Sequence, residues 1–468
     1  MFGIESLQVS FLLTLLASGL ALLMDVKEKT ARIIALFSSL FYLIQAVCGF
    51  FFIKVFKQDL YYTFGNWPSD IGIQFKYGLH ESMLILSLGA VLLSFCYTII
   101  KHSKPSSFKG IFPFIFFLFT GLTGLVLTND IFNLYVFLEI TAVSSFVIFC
   151  SRSYVVNFKN TFDYILVATI GSCFFLIGVC VLYMETGHLN FYYIKTNIQY
   201  GNTVYLSYLF ILFGFLLKIG VYPFQLIIKN LYYHTSFILM SLMFCVSKVM
   251  FFALFKVLSN CFPADLNTHM VSFQYFMRIV ALFIVTISAM QTINIKDFKN
   301  YLILSFTTSN AFIVLFLFSR LEISVDFVKF LCAEIFAKHL LCLNAVKLLT
   351  RSKSDNKISL SCYNFFGIFD KNMITKLYLI VLTISASYLP IGTHFVFKIN
   401  ILMGMIKSGF IVEFIILIIY SLVSLIYVWQ LINPVLLSNN GTKTTSSIQE
   451  PFFYEIITLV LMMFLFIM

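Results

Sequence analysis

The sequence predicts an all-α polytopic membrane protein with about 14 transmembrane helices. Hydrophobic residues make up 60% of the 468 residues and charged residues only 11%, and the mean hydropathy is +0.96. These values lie far outside those of soluble chains. Stretches long enough to cross the hydrocarbon core, about 20 apolar residues each, also recur along the whole chain. The predicted spans, numbered 1 to 14, are 4–24, 32–53, 79–100, 110–128, 131–150, 162–184, 204–227, 235–257, 272–292, 301–319, 326–349, 375–398, 411–432 and 452–467.

The polar segments between the spans are too short to form a soluble domain. The longest are 54–78, 351–372 and 438–451, and we interpret them as connectors, two of which have room for short interfacial helices. The N-terminal apolar run has neither a basic segment before it nor a small-residue cleavage site after it. We therefore expect it to remain in the protein as span 1.

Basic residues are distributed among the loops in a way that predicts the orientation of the chain. The net charge is +11, but the basic residues form no patch interleaved with exposed aromatics, so no nucleic-acid partner is expected. By the positive-inside rule, loops after odd-numbered spans lie in the cytoplasm and both termini lie outside. Lys54, Lys57 and Lys76, in the longer loop after span 2, count against this orientation. The basic residues after odd-numbered spans are Lys27, Lys29, Arg32, Lys101, Lys104, Lys109, Arg152, Lys159, Lys296, Lys299, Arg351, Lys353 and Lys357.

Cofactor and metal chemistry are not expected from the motifs in this chain. The ten cysteines show no metal or disulfide spacing, and several lie inside apolar spans, where cysteine is usually a small buried hydrophobe. A Gly-rich phosphate loop, a CxxC pair and a Ser/His/Asp grouping are all missing. We expect no cofactor, no metal ion and no catalytic residue in this chain, which disfavours an enzyme.

Charged residues within the predicted spans are the strongest functional signal. Glu139 lies in the middle of 131–150, where an ionised group costs roughly 2.5–3.5 kcal/mol on insertion scales, and such groups usually face a partner or a wet cavity. Lysines can also extend to the interface and have no other role. Acids and bases at mid-membrane depth on several helices nevertheless predict a proton relay. The other members are Lys218, Lys248, Glu334, Lys338 and Lys398.

Two of these positions share a helix face with another charged or titratable residue. Glu334 and Lys338 stand four residues apart, a spacing that brings their side chains together. They are either an internal ion pair that neutralises both or a part of the relay, and the sequence alone leaves both interpretations open. His394 has the same spacing to Lys398 if the helix resumes after the breakers before it, and it could pass a proton near neutral pH.

Helix breakers accompany two of the lysines. Gly220 and Pro223 follow Lys218, and Pro390 and Gly392 precede Lys398. Broken helices at membrane depth line cavities and often mark ion sites in transporters. A proline kink with no ionic role is the alternative at either position alone, and the recurrence of breaker and lysine in both halves of the chain favours ion sites.

The segment TGLTGLVLTNDIFNLYVFLEITAVSSFVIF (120–149) resembles the signature of the antiporter-like membrane subunits of Mrp-type cation/proton antiporters and respiratory complex I. The string NDIFNLYVFLE is most similar to the D-type subunits of Mrp antiporters, and we expect the chain in the bacterial inner membrane. The resemblance covers roughly 60–430. Its other elements are GNWPSDIGI (65–73), ETGHLN (185–190), Lys218 with Pro223, Lys248, Asp297 with Lys299, Lys338, and Pro390 with Lys398.

The resemblance implies a fold of 14 helices that contains two inverted five-helix repeats, with helices 7 and 12 discontinuous. The implied segments are 1–108 (helices 1–3), 109–257 (first repeat, helices 4–8), 270–432 (second repeat, helices 9–13) and 433–468 (loop and last helix). Glu139 would pair with Lys218, and Lys248 and Lys398 would continue a hydrated path along the membrane midplane. Lys299 and Lys338 would support the path on the second repeat, with Glu334 where relatives have His or Asp.

Departures from the family pattern leave three functions open. After Pro223 the segment QLIIKNLYYHTSFILMS (225–241) lacks the usual tryptophan and second proline, and FKYGLHES (75–82) lacks the expected aspartate. The first function is a subunit of a cation/proton antiporter, with protons and sodium as candidate substrates and other membrane subunits as partners. The second is a proton-pumping subunit of NADH:quinone oxidoreductase or a related hydrogenase complex. The third is a structural paralogue that transports nothing.

Overall fold

The computed structural model describes residues 6–24, 27–102, 110–150, 155–198, 201–221, 225–262, 268–292, 298–318, 325–351, 394–407, 409–412 and 414–419. These residues are almost entirely helical, because in lipid a helix satisfies every backbone polar group within its own segment. The helices are α1 (Leu7–Leu23), α2 (Glu28–Phe56), α3 (Leu79–His102), α4 (Phe112–Leu127), α5 (Ile131–Cys150), α6 (Val155–Thr186), α7 (Phe191–Asn197), α8 (Asn202–Ile219), α9 (Gln225–His234), α10 (Phe237–Cys261), α11 (Thr268–Thr292), α12 (Phe298–Phe318), α13 (Val325–Arg351) and α14 (His394–Lys407).

The predicted all-α membrane class is confirmed. Seven helices of the described part are long and apolar enough to cross a membrane, namely α2, α3, α5, α6, α8, α10 and α12. Helices α1 and α4 are apolar but shorter, at 17 and 16 residues. The total of 14 spans stays a prediction, because most of spans 12 and 13 and all of span 14 lie outside the described residues. The inverted repeats and their boundaries likewise stay a prediction.

One predicted boundary is wrong. The sequence ends span 12 at residue 398, but the helix that is described from His394 onward continues to Lys407. A hydropathy window ends where polar residues accumulate, and Lys398 and Asn400 lower the average although the backbone continues as a helix. Lys398 therefore lies within a helix rather than at its C-terminal end.

The chain divides into two compact units. The first contains 1–235 and 245–273, and the second contains 236–244 and 274–468. Helices α1 to α9 and most of α10 thus belong to the first unit. The start of α10 belongs to the second unit, together with α12, α13 and α14.

The loops after α2, α4 and α6 meet at one end of the first unit. A short hairpin of β1 (Leu60–Thr63) and β2 (Gln74–Tyr77) pairs in antiparallel register. The Gln74 side-chain oxygen accepts hydrogen bonds from Asn129 at 2.8 Å and Asn190 at 3.1 Å. Since these three loops all follow even-numbered helices, their meeting agrees with strict up-and-down threading through a membrane.

Glycines set the close approach of α6 and α8. A Cβ atom added to Gly171 would lie 2.9 Å from the Gly214 carbonyl oxygen and 3.2 Å from Cγ of Lys218. A Cβ at Gly214 would lie 2.7 Å from the Gly171 carbonyl oxygen. Small residues of this kind let backbones approach in membrane bundles, and here they bring Lys218 against α6.

A helix break follows Lys218. Helix α8 ends at Ile219, and Gly220 adopts the left-handed conformation with φ 72° and ψ 49°, which glycine tolerates and other residues rarely do. The Gly220 and Val221 amides donate back to the Leu216 carbonyl at 3.0 and 3.1 Å, closing the helix end in a Schellman-like turn. The chain resumes as α9 at Gln225. The predicted break in the seventh span thus falls two residues after the lysine.

Candidate functional site

Helix α5, which carries Glu139, begins at a well-defined cap. The Asp130 carboxylate accepts the Asn133 amide at 2.7 Å, the contact expected between an N-cap residue and the third helical residue. Burial raises the pKa of Asp130, and the hydrogen bonds from the Asn133 and Phe132 amides oppose that change. The cap fixes where α5 starts and therefore how deep Glu139 lies.

Glu139 forms an ion pair with Lys218 across two helices. The Lys218 Nζ atom lies 2.8 Å from Glu139 Oε1, and the Ser172 hydroxyl of α6 donates to the same oxygen. The Lys218 side chain is 1% exposed, whereas that of Glu139 is 31% exposed. A buried ammonium is thus neutralised by a carboxylate at the surface of the first unit, with α5, α6 and α8 each contributing one group.

Lys248 is completely buried in α10, within the first unit. Its Nζ atom lies 6.0 Å from the centre of the Phe251 ring, a distance at the outer limit of a cation–π contact. The Lys248 side chain therefore lies inside the unit rather than on its surface.

Glu334 and Lys338 form an ion pair in the second unit. The Lys338 Nζ atom lies 2.6 Å from Glu334 Oε2, and the two side chains are 1% and 2% exposed. Ser309 of α12 donates to the same carboxylate oxygen at 2.7 Å, and Lys338 also donates to the Ser305 carbonyl at 3.1 Å. The i, i+4 spacing thus brings the two side chains into contact as an ion pair, and both the purely neutralising role and a relay role stay predictions.

The remaining predicted residues are placed less completely. Lys299 is the second residue of α12 and its Nζ atom lies 5.5 Å from the Phe237 ring centre. Lys398 lies in α14 and only its backbone is described, while Pro223, Pro390 and Gly392 lie outside the described residues. Among the predicted residues, Glu139 thus forms an ion pair with Lys218, and Glu334 forms one with Lys338.

Two charged residues that the sequence interpretation missed form a further buried pair. Lys256 of α10 lies 3.7 Å from Glu81 of α3, and the side chains are 5% and 7% exposed. Lys256 lies near the end of its span, where a basic residue suggests the membrane interface, and Glu81 lies in the segment that lacks the expected aspartate. The available signal was a second lysine eight residues after Lys248 on one helix.

A surface pair lies beside Glu81. Lys76 of β2 lies 2.9 Å from the Asp59 carboxylate, with side chains 30% and 43% exposed. Burial acts to lower the pKa of Lys76, but the Glu81 and Asp59 carboxylates outweigh it and raise the pKa above its ordinary value. Lys76 therefore stays charged and is paired with the Asp59 carboxylate.

The fold and the buried pairs define an integral, multi-pass membrane protein with ionised groups inside its helical bundle. Residues 128–425 match the family described as NADH:quinone oxidoreductase/Mrp antiporter, TM. The chain belongs to this family, as the motif around Glu139 predicted.

Curated relatives match part of the chain. It is 27% identical over 191 residues to the D subunit of the Na(+)/H(+) antiporter of Alkalihalophilus pseudofirmus, and the match covers 38% of this chain and 38% of the relative. It is 33% identical over 138 residues to "Putative antiporter subunit mnhD2" of Staphylococcus aureus, and that match covers 29% of this chain and 28% of the relative.

Solved structures share the fold over almost the whole chain. A chain of the membrane-bound sulfane sulfur reductase, an archaeal respiratory membrane complex, superposes with a TM-score of 0.85 at 19% identity and covers 99% of this chain and 93% of its own. A chain of the Mrp complex from Dietzia sp. superposes with a TM-score of 0.81 at 16% identity. This match covers 96% of the present chain and 82% of the Dietzia chain. The fold is therefore that of antiporter-like membrane subunits.

Proposed function

We propose that this chain is a membrane subunit of a monovalent cation/proton antiporter and that it moves protons through an intramembrane relay of glutamates and lysines. The observation that carries the proposal is the 2.8 Å pair of Glu139 and Lys218 inside apolar helices. Ionisable groups in such positions usually mark ion or proton pathways. The names of the two curated relatives favour an antiporter.

The geometry around Glu139 supports a gate between two protonation states. With the pair closed, the carboxylate stabilises the Lys218 ammonium, and the Ser172 hydroxyl holds the carboxylate in place. Moving Lys218 away from Glu139 leaves an ammonium in a low-dielectric site, where the neutral amine is favoured and the proton is released. The break at Gly220, two residues after the lysine, provides a place where α8 can shift.

The released proton passes to further titratable groups in this proposal. Lys248 is the next buried lysine of the first unit. In the second unit, Lys299 and the pair of Glu334 and Lys338 provide groups of both signs, and Lys398 completes the series on α14. Coupled groups of this kind titrate together, because each one's charge depends on the next.

The surroundings of the chain are part of the proposal. We place it in the bacterial inner membrane, with the loops after odd-numbered spans in the cytoplasm and both termini outside, and in a complex with other membrane subunits. The 31% exposure of the Glu139 side chain agrees with a neighbouring subunit or a wet cavity beside α5. Cysteine labelling of intact cells at position 70, in the hairpin loop, tests the orientation, since our topology places this loop outside.

Transport in everted membrane vesicles tests the function. The chain is expressed with its neighbouring subunits in a host that lacks cation/proton antiporters, and a pH-sensitive dye reports proton movement on addition of Na⁺, K⁺ or Li⁺. Glu139→Gln keeps the shape but not the charge, and Lys218→Met removes the ammonium, so each is expected to abolish exchange while the protein still inserts. Glu28→Gln, in a partly exposed pair with Arg32 outside the proposed relay, is the matched control. Normal exchange by Glu139→Gln would refute the proposal.

A further inference from the structure

An apolar groove lies on the surface of the first unit, between the first half of α2 and the second half of α3. Its volume is about 430 Å³, which is within the range of small-molecule sites. Its walls are exposed, because three of the α2 side chains that form them lie at the protein surface. Both helices are long and apolar enough to cross a membrane, so the groove opens toward hydrocarbon. The lining residues are Ile33, Leu36, Phe37, Leu40 and Leu93.

The α3 wall of the groove belongs to a single stripe that ends in a lysine. Between 91 and 101, the residues that are not buried are Leu93, Tyr97, Ile100 and Lys101. Their spacing places them on one face of the helix. The Lys101 Nζ atom lies 5.6 Å from the centre of the Tyr97 ring, one turn nearer to Leu93. The Lys101 side chain therefore bends back along α3 toward the groove.

The α2 wall ends in a lysine at the same height. Lys29 is exposed and stands four residues before Ile33 and seven before Leu36, so it lies on the same face as the groove residues. Leu36 and Leu93 both line the groove, and they are seven and eight residues from Lys29 and Lys101. At 1.5 Å per residue, both lysines thus stand about 10–12 Å from the middle of the groove.

The charge at this end of the groove is positive. Arg32 pairs with Glu28 at 2.7 Å, so these two charges largely cancel, and Lys29 and Lys101 determine the charge beside the groove. The sequence segments that adjoin the two lysines, 25–32 and 101–109, contain six basic and two acidic residues. Basic sites between transmembrane helices on the cytoplasmic side bind anionic lipid headgroups. Both segments follow odd-numbered spans, which our proposed topology places in the cytoplasm.

We propose that this groove binds one anionic phospholipid. An acyl chain lies against Leu36, Phe37 and Leu93, and the phosphate lies between the ammonium groups of Lys29 and Lys101. Lysine suits this position, because its stem covers apolar surface while its charged end stays at headgroup level. The proposal concerns binding alone and does not depend on the proposed antiport.

A transmembrane helix of a neighbouring subunit is the other possible occupant. The two lysines favour the lipid. Every anionic phospholipid has a phosphate at the depth of the headgroups, whereas a helix would need an acidic residue placed there to meet both ammonium groups.

Tryptophan fluorescence identifies the lipid that lies in the groove. Phe37→Trp places a probe on the groove wall, and bromine atoms on an acyl chain quench a tryptophan that they contact. The purified full-length protein is reconstituted in phosphatidylcholine vesicles that contain a rising fraction of brominated phosphatidylglycerol or brominated phosphatidylcholine. The parent chain, which has two tryptophans, provides the background to subtract. We expect a relative association constant roughly twentyfold in favour of phosphatidylglycerol, because two lysines near the membrane surface attract the anionic lipid.

Lysine variants in the Phe37→Trp background test the headgroup contact. Lys29→Gln and Lys101→Gln should each lower the preference for phosphatidylglycerol about fivefold, and the double variant should remove it. Lys54→Gln replaces an exposed lysine in the last turn of α2, at the opposite end of the same helix, and should leave the preference unchanged. Ile177→Trp, in an otherwise unaltered chain, places the probe on the exposed face of α6 and should be quenched equally by both lipids.

Two results in vesicles would overturn the proposal. One is equal quenching of Phe37→Trp by the two lipids. The other is an equal loss of preference in Lys54→Gln and Lys29→Gln, which would indicate a general attraction by the charge of the whole chain. The same measurement on the chain purified with its neighbouring subunits tests the other occupant. Loss of quenching there would show that a subunit covers the groove and that the lipid assignment is wrong.

Discussion

The glutamate sites of the two units have the same donors but differ in the number of helices that they join. Glu139 accepts from a lysine and a serine on two other helices, so the site depends on the positions of α5, α6 and α8. Glu334 accepts from a lysine on its own helix and a serine on α12. The first carboxylate is 31% exposed and the second 2%.

This difference determines what can open each pair. A shift of α8 separates Lys218 from Glu139 directly, because the two belong to different helices. No rigid movement of α13 can separate Lys338 from Glu334, since both move with it. The second pair opens only by side-chain rotation or by a change of charge. We infer that the first pair is suited to respond to helix movement and the second to respond to an arriving proton.

The largest expected loss of stability comes from replacing the paired lysines, Lys338 and Lys218, one at a time. Lys338→Met leaves a carboxylate that is almost fully buried without its counter-charge, which typically costs about 3–5 kcal/mol of stability. Lys218→Met should cost less, because the partly exposed Glu139 can turn away from the bundle. Thermal unfolding of the purified proteins in detergent measures both losses. The double variant Glu334→Gln/Lys338→Met should recover most of the loss, and an equal or larger loss for Lys218→Met would contradict the comparison.

An intermediate effect is expected from pushing α6 and α8 apart. Gly171→Ala places a methyl group against the Gly214 carbonyl and the Lys218 side chain, and overpacking of this kind typically costs about 1–3 kcal/mol. The exchange rate should fall with the stability, because the distance from Lys218 to Glu139 increases. Gly110→Ala is the control, since a Cβ there meets no atom within 4 Å. Equal losses of stability in Gly171→Ala and Gly110→Ala would show that the contact between Gly171 and Gly214 does not determine the distance from Lys218 to Glu139.

The smallest effect is expected from the two serines. Ser172→Ala and Ser309→Ala each remove one donor to a paired carboxylate, with an expected loss of about 1 kcal/mol. The loss should be larger for Ser309, because water cannot replace the donor at a carboxylate that is 2% exposed. Threonine should restore part of the stability at either position. Thr169→Ala removes a hydroxyl that donates to the Leu166 carbonyl in an exposed helix turn, and it provides the baseline in the same unfolding assay.

The fold was predictable because span length and apolar composition are local properties of the sequence. The same holds for Glu334 and Lys338, whose spacing alone places them together. The pairing of Glu139 with Lys218 was implied only by family resemblance, since a contact between residues 79 positions apart in the chain depends on how the helices rotate. Ser172 could not be predicted for the same reason: its contact with Glu139 depends on how α5 packs against α6.

The missed pair of Glu81 and Lys256 shows what cannot be inferred from the position of a charged residue within its predicted span. Both residues lie near span ends, where a sequence gives no distinction between a solvated charge and a buried one. The burial of Lys256 depends on the end of α4 and the start of α3, and the α4 carbonyls that it contacts are 128 and 130 positions away in the chain. Only the folded arrangement shows that these ends enclose it.

The hydrogen bonds at the loop end of the first unit also constrain how this protein can be recombined with its relatives. The Gln74 side-chain oxygen accepts hydrogen bonds from Asn129 and Asn190, which lie in two different loops. The Asn190 side chain also donates to the Ser69 carbonyl at 3.1 Å. A chimaera that exchanges only the hairpin would take these acceptors away from Asn129 and Asn190. The hairpin, the turn at 128–130 and the segment 187–190 therefore form one exchangeable block, and domain grafts should carry all three together.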